Sequence, residues 1–277
     1  MDSQSPNVNE VISHYASGYE ADRLNTSVGR LECERTQELF VRFLPPAPAT
    51  ILDVGGGPGG HACWLARRGY EVHLTDVAPL HVEMATSASA RQLEAPLASV
   101  NVGDARSLSW KNETVNAVLL LGPLYHLTNR RDRLQALTEA YRVLKPGGVL
   151  FAVGISRFAS TMDGLRQSFL KDRQFADIVE QDLKDGQHRN PTGKPEYFTD
   201  AFFHHPEELH RETVEAGFTV TGIYGLEGPA WLVTNFDEWW MNSAYRERLL
   251  KIARQVEIEP ALLGISAHMM AVARRNR

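Results

Sequence analysis

Cysteine is scarce, with only Cys33 and Cys63 in 277 residues. Two thiols build neither a disulfide framework nor a zinc cluster, which suits a reducing compartment and leaves packing to hold the fold. No stretch approaches the roughly 20 apolar residues a membrane span needs. The longest candidate, AVLLLGPLYHL at 117–127, is broken by Gly122 and Pro123. Positive charge is not in excess either: 29 Lys and Arg against 34 Asp and Glu leave a net charge of −5, the wrong sign for a nucleic-acid footprint. The first residues, MDSQSPNVNEVISHY, lack the basic start and apolar run of a secretory signal. The expectation is a cytoplasmic protein with no nucleic-acid or membrane partner and an oligomeric state left open. A hydrophobic content of 43% with 23% charged residues is that of a globular chain able to bury a large core.

Apolar positions at helical spacing through Leu31, Leu39, Phe40, Phe43 and Leu44 predict helix over 7–43, ended by PPAPA at 45–49. ATILDV is then a short buried strand, GGGPGG a tight loop and HACWLARRG a helix closed by Gly69. YEVHLTD is a second strand, PLHVEMATSASARQLEA a second helix, and LASVNVGDA at 97–105 a third strand running into a loop. VNAVLLL at 115–121 reads as a strand buried on both faces. RDRLQALTEAYRVL at 131–144 is an amphipathic helix halted by KPGG, and VLFAVGIS at 149–156 a fifth strand. This alternation predicts a parallel sheet with helices on both faces. Beyond Ser156 the rhythm breaks. Residues 157–205 mix helical and polar loop signals, too long for a plain connection. Helix returns at 206–218, strands at TVTGIYGLEG and ISAHMMAVARR, and 229–264 reads as helical with Trp239 and Trp240 buried.

Gly55, Gly57 and Gly60 spell the G-x-G-x-x-G of nucleotide-binding turns, and Asp53 stands two residues ahead of them. A parallel sheet binds ligands at the carboxyl ends of its strands, which is where this loop falls. Glycine there permits positive φ and close approach of a ligand to the backbone. Asp53 argues against a pyrophosphate, whose charge it would repel at low dielectric. A ligand carrying an ammonium, a sulfonium and a carboxylate suits it better, and S-adenosylmethionine carries all three. Asp76, ending the second strand, is placed to accept from ribose hydroxyls. Asp104 follows the third strand, where its carboxylate can accept from the adenine amine while the Ala105 N–H meets a ring nitrogen.

On LDVGGGPGG, LTD, GDA, the strand VNAVLLLG and LKPGG, in that order from about residue 50 to 156, the chain resembles the class I S-adenosylmethionine-dependent methyltransferases. The resemblance implies a Rossmann-like α/β fold, a seven-stranded sheet with the last strand antiparallel, here ISAHMMAVARR. It further implies an N-terminal helical lid over 1–48 and a methyltransferase domain over 49–277, with helical cap insertions at about 157–205 and 229–264. It places Asp53, Gly55 and Gly57 on the methionine part of the cofactor, Asp76 on the ribose, Asp104 with Ala105 on the adenine, and Leu121 with Gly122 near the reacting methyl. YASGYEADRL and EPALLGISAHMMAVARR look like a bacterial subgroup with small-molecule substrates. An amino-terminal helix closing over the cofactor makes Tyr15, Tyr19, Arg23 and Arg30 further contacts.

The family pattern sets His126, in GPLYHL, toward the acceptor, where a neutral imidazole can take a proton near pH 7; the opposing reading is a histidine that only packs. Tyr125 either orients the acceptor or packs on the sheet edge. In the cap, His188, Arg189, Tyr197 and Trp231 are candidate acceptor contacts. His204 and His205 invite a metal reading, but adjacent residues rarely ligate one ion together, and no metal is expected. His268 reads as a satisfied core histidine. GPLY lacks the first polar residue and second proline of amino-directed nucleic-acid methyltransferases. The function expected is methyl transfer to oxygen or nitrogen of a small organic molecule. The alternatives are a protein or RNA methyltransferase, an NAD-dependent oxidoreductase, and a non-catalytic cofactor-binding module.

Overall fold

A computed structural model of the chain describes residues 27–277; Tyr15, Tyr19 and Arg23 lie outside that range. Strands β1 (Thr50–Val54), β2 (Glu71–Asp76), β3 (Ser99–Val102), β4 (Val115–Leu120) and β5 (Leu144–Ser156) pair in parallel in the order β3-β2-β1-β4-β5. Next to β5, β9 (His268–Arg274) runs antiparallel along Val149–Ile155, and β8 (Thr219–Gly225) runs antiparallel to β9. This is the expected seven-stranded sheet with its last strand reversed.

Period-two alternation divides each central strand between two cores. Ile51, Ala117, Leu119 and Phe151 face helices α1 (Gly29–Phe43), α2 (Gly60–Ala66) and α3 (Pro79–Ala90), meeting Leu39, Phe40, Leu65 and Ala85. Leu52, Val54, Val118, Leu120 and Leu150 face the other way, onto Leu137 and Ala140 of helix α5 (Arg130–Val143) and Leu209 of helix α8 (Pro206–Glu215). Both faces are covered, so these strands read as unbroken apolar runs. Helix α5 starts where the Asn129 side chain accepts from Arg131 N at 2.8 Å, closing one of the open amides of its first turn. It ends at Val143, one residue short of the sequence expectation. Leu144 already pairs with Val115, and KPGG is left out of register before Val149 meets Ala117, as a bulge requires.

Between α5 and α8 lies a buried ion cluster. Arg133 donates to both Glu212 oxygens at 2.8 and 2.9 Å, and its Nη1 donates to the carbonyls of Leu127 and Thr128. The Glu212 carboxyl, which burial alone would push up, is drawn down to about 2 by its hydrogen bonds from His204 and Arg133.

Residues 157–205 hold helices α6 (Ala159–Gln167) and α7 (Arg173–Asp185) and an unexpected antiparallel pair, β6 (Gln187–His188) with β7 (Ala201–His204). Strand β7 also pairs in parallel with β5 at Ile155 and Ser156. Ile155 has His268 on one edge and Phe203 on the other, so β7 extends the sheet on the β4 side, beyond the last β4 pair, Leu120 with Ala152. A four-residue apolar run between polar flanks does not declare its type, and no strand is expected in this segment of mixed helical and loop signals. Phe175, Ile178, Val179 and Tyr197 form a small core within this segment.

In 229–264, helices α9 (Phe236–Met241) and α10 (Ser243–Val256) pack Phe236, Trp240, Leu249 and Leu250 with Trp231 and with Leu31 of α1. Trp240 is buried as expected, whereas Trp239 is only partly so, lying on the outer side of this short helix. Among the described residues no helix is long and apolar enough to cross a membrane.

Candidate functional site

The chain leaves β1 at Val54 and must turn at once beneath β2. Gly55, at φ +69°, donates its N–H to Thr75 O at 2.7 Å, and a Cβ there would lie 2.6 Å from Pro123 Cγ. Gly57, at φ +55°, has open space where a Cβ would stand, so its backbone borders a cleft. Asp53, Gly55, Gly57, Asp76, Asp104, Ala105, Leu121, Gly122, Tyr125 and His126 all line that cleft, which brings the cofactor residues expected on the sheet edge together with both expected catalytic ones. Gly57→Ala puts a methyl group into the cleft and imposes left-handed backbone on alanine. We expect about 10-fold weaker cofactor binding by calorimetry and a stability loss of about 1–2 kcal/mol by thermal melting.

Asp53 is 1% exposed, and neither of its carboxylate oxygens has a hydrogen-bond partner among the described residues. Burial first, and the charge of Asp76 second, push its carboxyl up to about 7. A buried acceptor with no donor is costly, and a cationic ligand relieves that cost. Asp76 is held by the loop it serves: Oδ2 accepts from Gly57 N and Oδ1 from Ala78 N, both at 2.8 Å, with His81 Nδ1 at 3.2 Å from Oδ1. A carboxylate has about four acceptor positions, so capacity for hydroxyl groups remains. Burial pushes the Asp104 carboxyl up, but hydrogen bonds and charge from Arg106 outweigh it and hold the group below its ordinary value. Arg106 also donates to Asp132 at 2.9 Å.

Sequence reasoning missed Glu32, Thr36, His61, His81 and Arg106 on this cleft. Glu32 and Thr36 are four apart on α1 and hence on one face, a signal that was available once α1 was known to border the loop. Arg30 does not line the cleft. Its guanidinium pairs with Asp237 and lies 6.0 Å from the Trp240 ring centroid, because its position on α1 faces the α9 segment.

Beside the cleft is a second pocket, walled by Tyr125, Phe175, Tyr197, Phe198, Phe203 and Trp231, with Ser160, Asp163, His188 and His268 supplying polar atoms. Tyr125 belongs to both. It sits on the single-turn helix α4 (Pro123–His126) directly after β4. His126 is on the cofactor side, its ring stacked on Phe198 at 6.3 Å and 29°. Phe198 itself has φ +69°, a conformation that costs a bulky residue about 1–3 kcal/mol and is held by its surroundings.

Of the expected acceptor contacts, His188, Tyr197 and Trp231 line this pocket; Arg189 is exposed and does not. His188, the last residue of β6, faces inward, and Arg189 just past the strand faces solvent. His188 is anchored at both nitrogens, Nδ1 to Asp182 Oδ2 and Nε2 to Tyr197 O, each at 2.8 Å. Tyr197 donates its hydroxyl to Asp172 at 2.8 Å, and Trp231 Nε1 donates to Ile265 O at 2.8 Å. These residues therefore offer ring surface and little else. His204 and His205 diverge: His204 Nε2 lies 3.4 Å from Glu212 Oε2, while the His205 N–H donates to Glu208 at the start of α8.

Residues 51–148 match the family described as methyltransferase domain. The ubiquinone/menaquinone biosynthesis C-methyltransferase UbiE of Acidiphilium cryptum is 32% identical over 154 residues, 54% of this chain and 59% of that protein. A SAM-dependent methyltransferase of Methanosarcina mazei superposes with a TM-score of 0.58 at 20% identity, covering 86% of this chain and 97% of that one. The geranyl diphosphate C-methyltransferase of Streptomyces coelicolor, solved with Mg2+, geranyl diphosphate and S-adenosyl-L-homocysteine, gives a TM-score of 0.54 at 15% identity over 87% and 79% of the two chains. The chain spans about three fifths of the length of the curated relatives it matches. Residues 51–148 carry a methyltransferase domain, and the fold is that of the class I S-adenosylmethionine-dependent methyltransferases. S-adenosylmethionine is the cofactor of that class, and the partnerless buried carboxylate of Asp53 beside the open backbone of Gly57 fits its cationic end.

Proposed function

We propose that this chain transfers the methyl group of S-adenosylmethionine to an oxygen or nitrogen of a small organic molecule with an apolar, largely aromatic body. The observation that carries this reading is Tyr125, one side chain forming the wall common to the cofactor cleft and the aromatic pocket. A pocket with ring walls and few polar atoms suits a compact acceptor better than a polypeptide or RNA.

In this reading Asp53 takes the ammonium of the methionine part beside Gly55 and Gly57, Asp76 takes the ribose hydroxyls, Asp104 and Ala105 take the adenine, and Leu121 and Gly122 lie near the reacting carbon. When bound, the cofactor supplies a methyl group already activated by positive sulfur. What is left to the protein is alignment, exclusion of water and removal of a proton. The aromatic walls align the acceptor, Tyr125 sets the boundary, and His126 accepts the proton at an imidazole nitrogen. His126→Ala is expected to lower turnover about 100-fold with cofactor affinity little changed; full turnover in that variant means alignment alone carries the reaction.

A second reading, methylation at carbon, is favoured by the names of the curated relatives, which are C-methyltransferases. Calorimetry with S-adenosylmethionine, S-adenosylhomocysteine and NAD, followed by transfer of labelled methyl to phenols, amines and quinols, tests both. NMR of the product identifies the methylated atom. Binding of NAD alone sinks the methyltransferase reading and revives the oxidoreductase one. Cofactor binding with transfer only to protein or RNA sinks the small-molecule acceptor, and cofactor binding without any transfer leaves a binding module.

A further inference from the structure

Three residues remote in sequence meet where α1, the β8 end and β9 converge. Glu32 Oε2 lies 3.6 Å and Glu227 Oε1 2.7 Å from His268 Nδ1, and one ligand atom from each of the three falls within 4.8 Å of the others. Glu227 is 1% exposed and tightly held. Its Oε2 accepts from Ser266 Oγ at 2.7 Å and from His268 N at 3.0 Å, which leaves Oε1 directed at the cluster. Glu32 lines the cofactor cleft and His268 the aromatic pocket, so the cluster stands at the seam between them. A separate observation points to a ligand on the same side. Ser160, nine-tenths buried on the pocket that His268 lines, has an Oγ with no hydrogen-bond partner among the described residues.

We propose that Glu32, Glu227 and His268 form a site for one first-row divalent metal ion. With bonds of about 2.1 Å, spans of 2.7 and 3.6 Å between ligand atoms subtend about 80° and about 120° at a common ion. Both angles belong to ordinary coordination geometries. One imidazole with two carboxylates selects Mn2+, Fe2+, Co2+ or Zn2+ over Ca2+, which prefers oxygen alone, and over Cu(I), which prefers sulfur. The hydrogen bonds on Glu227 Oε2 act as the outer shell that orients a ligating carboxylate. An ion here neutralises buried negative charge and polarises an oxygen of a molecule in the aromatic pocket, lowering the pKa of a hydroxyl. Ion binding itself is independent of the methyl-transfer reading, whereas its use in acidifying an acceptor rests on it.

The test uses the full chain without a histidine tag, stripped of metal with chelator and titrated with Zn2+ by calorimetry and with Co2+ by visible absorption. The expected result is one ion per chain, with Glu32→Gln and His268→Ala each weakening it at least about 10-fold while circular dichroism stays native. If His268→Ala fails to fold, Glu32→Gln decides alone. Absence of stoichiometric binding, or binding undiminished in the folded variants, overturns the site and leaves an imidazole hydrogen-bonded between two acids. Calorimetry with S-adenosylmethionine on the same preparation separates the two readings. Cofactor binding without metal binding removes only this site; metal binding without cofactor binding removes only the methyltransferase reading.

Discussion

Asp53→Asn is expected to weaken S-adenosylmethionine binding by roughly 30-fold to several thousand-fold, about 2–5 kcal/mol, because in the proposed reading it removes one partner of a buried charge pair. The same substitution makes the ligand-free protein more stable at pH 8. Asp53 has no hydrogen-bond partner among the described residues and a carboxyl raised to about 7. Its folded value thus exceeds the unfolded value of 3.8, and between the two the folded state holds the extra proton. Stability from this group falls as pH rises from about 4 to about 7 and is level above that. At pH 8 the folded protein carries the whole cost of the buried charge. Asparagine removes the charge and keeps the shape, for a gain of about 1–3 kcal/mol, since an unpartnered amide still costs something. Urea denaturation at pH 6 and pH 8 checks it: the variant should lose part of the wild-type decline between those values. An unchanged affinity for S-adenosylmethionine would remove Asp53 from the site. A second consequence concerns protons. If the cofactor ammonium pairs with Asp53 as proposed, binding at pH 6 should release a proton, visible as a calorimetric enthalpy that depends on the buffer.

The largest expected loss of stability is at Arg133. Arg133→Met leaves buried Glu212 without its bidentate partner, with only the half-exposed Arg130 at 3.7 Å as a cation, and should cost about 3–5 kcal/mol in urea denaturation. The sign with pH follows from Glu212, whose folded value of about 2 lies below the ordinary 4.5. Its contribution is complete above about 4.5 and is lost as pH falls toward 2; in the variant that acid-side loss should shrink. Arg133→Met with Glu212→Met together should recover most of the stability, because an apolar pair of similar volume has no buried charge to satisfy. Recovery no better than the single variant would place the worth of Arg133 in its bonds to Leu127 O and Thr128 O, and in its packing 3.6 Å from the Phe202 ring centroid. Those two carbonyls follow α4, so the cluster also steadies the turn carrying Tyr125 and His126.

The cofactor cleft was legible because its parts are local. Asp53, Gly55 and Gly57 sit within one turn, Asp76 ends the second strand and Asp104 follows the third, so the parallel sheet gathers them at one edge. The aromatic pocket was legible only in fragments. Its walls come from α4, α7, β7 and the segment before α9, and no spacing rule joins Tyr125 to Phe203 or Trp231. Arg189 shows the limit of residue type alone, since one step past the end of β6 separates a buried wall from a solvent-facing cation. Strand β7 was missed because four residues carry too little periodicity, and the cluster of Glu32, Glu227 and His268 because Glu32 stands near the start of the described chain and the other two near its end. His268 was correctly expected to have partners, but nothing in the β9 pattern revealed that they are acids.

The way β7 is attached bears on how an acceptor reaches its pocket and how the product leaves. Past the end of β4, β5 is bordered on both edges, by β7 and β9. Arg157 N donates to His204 O at 2.8 Å, Ser156 N to Ala267 O at 2.9 Å and Phe203 N to Gly186 O at 2.8 Å. Swinging the β6–β7 pair off β5 would break the parallel pairing at Ile155 and Ser156, the Arg157 N bond to His204 O and the Arg157 Nε bond to Phe203 O, each left unmade at about 1–3 kcal/mol if no water replaces it. This part of the roof behaves as a bolted bracket rather than a flap. Molecular traffic on the millisecond scale must pass elsewhere, and the amides of Ile155, Ser156 and Phe203 should exchange with solvent as slowly as those of the central strands.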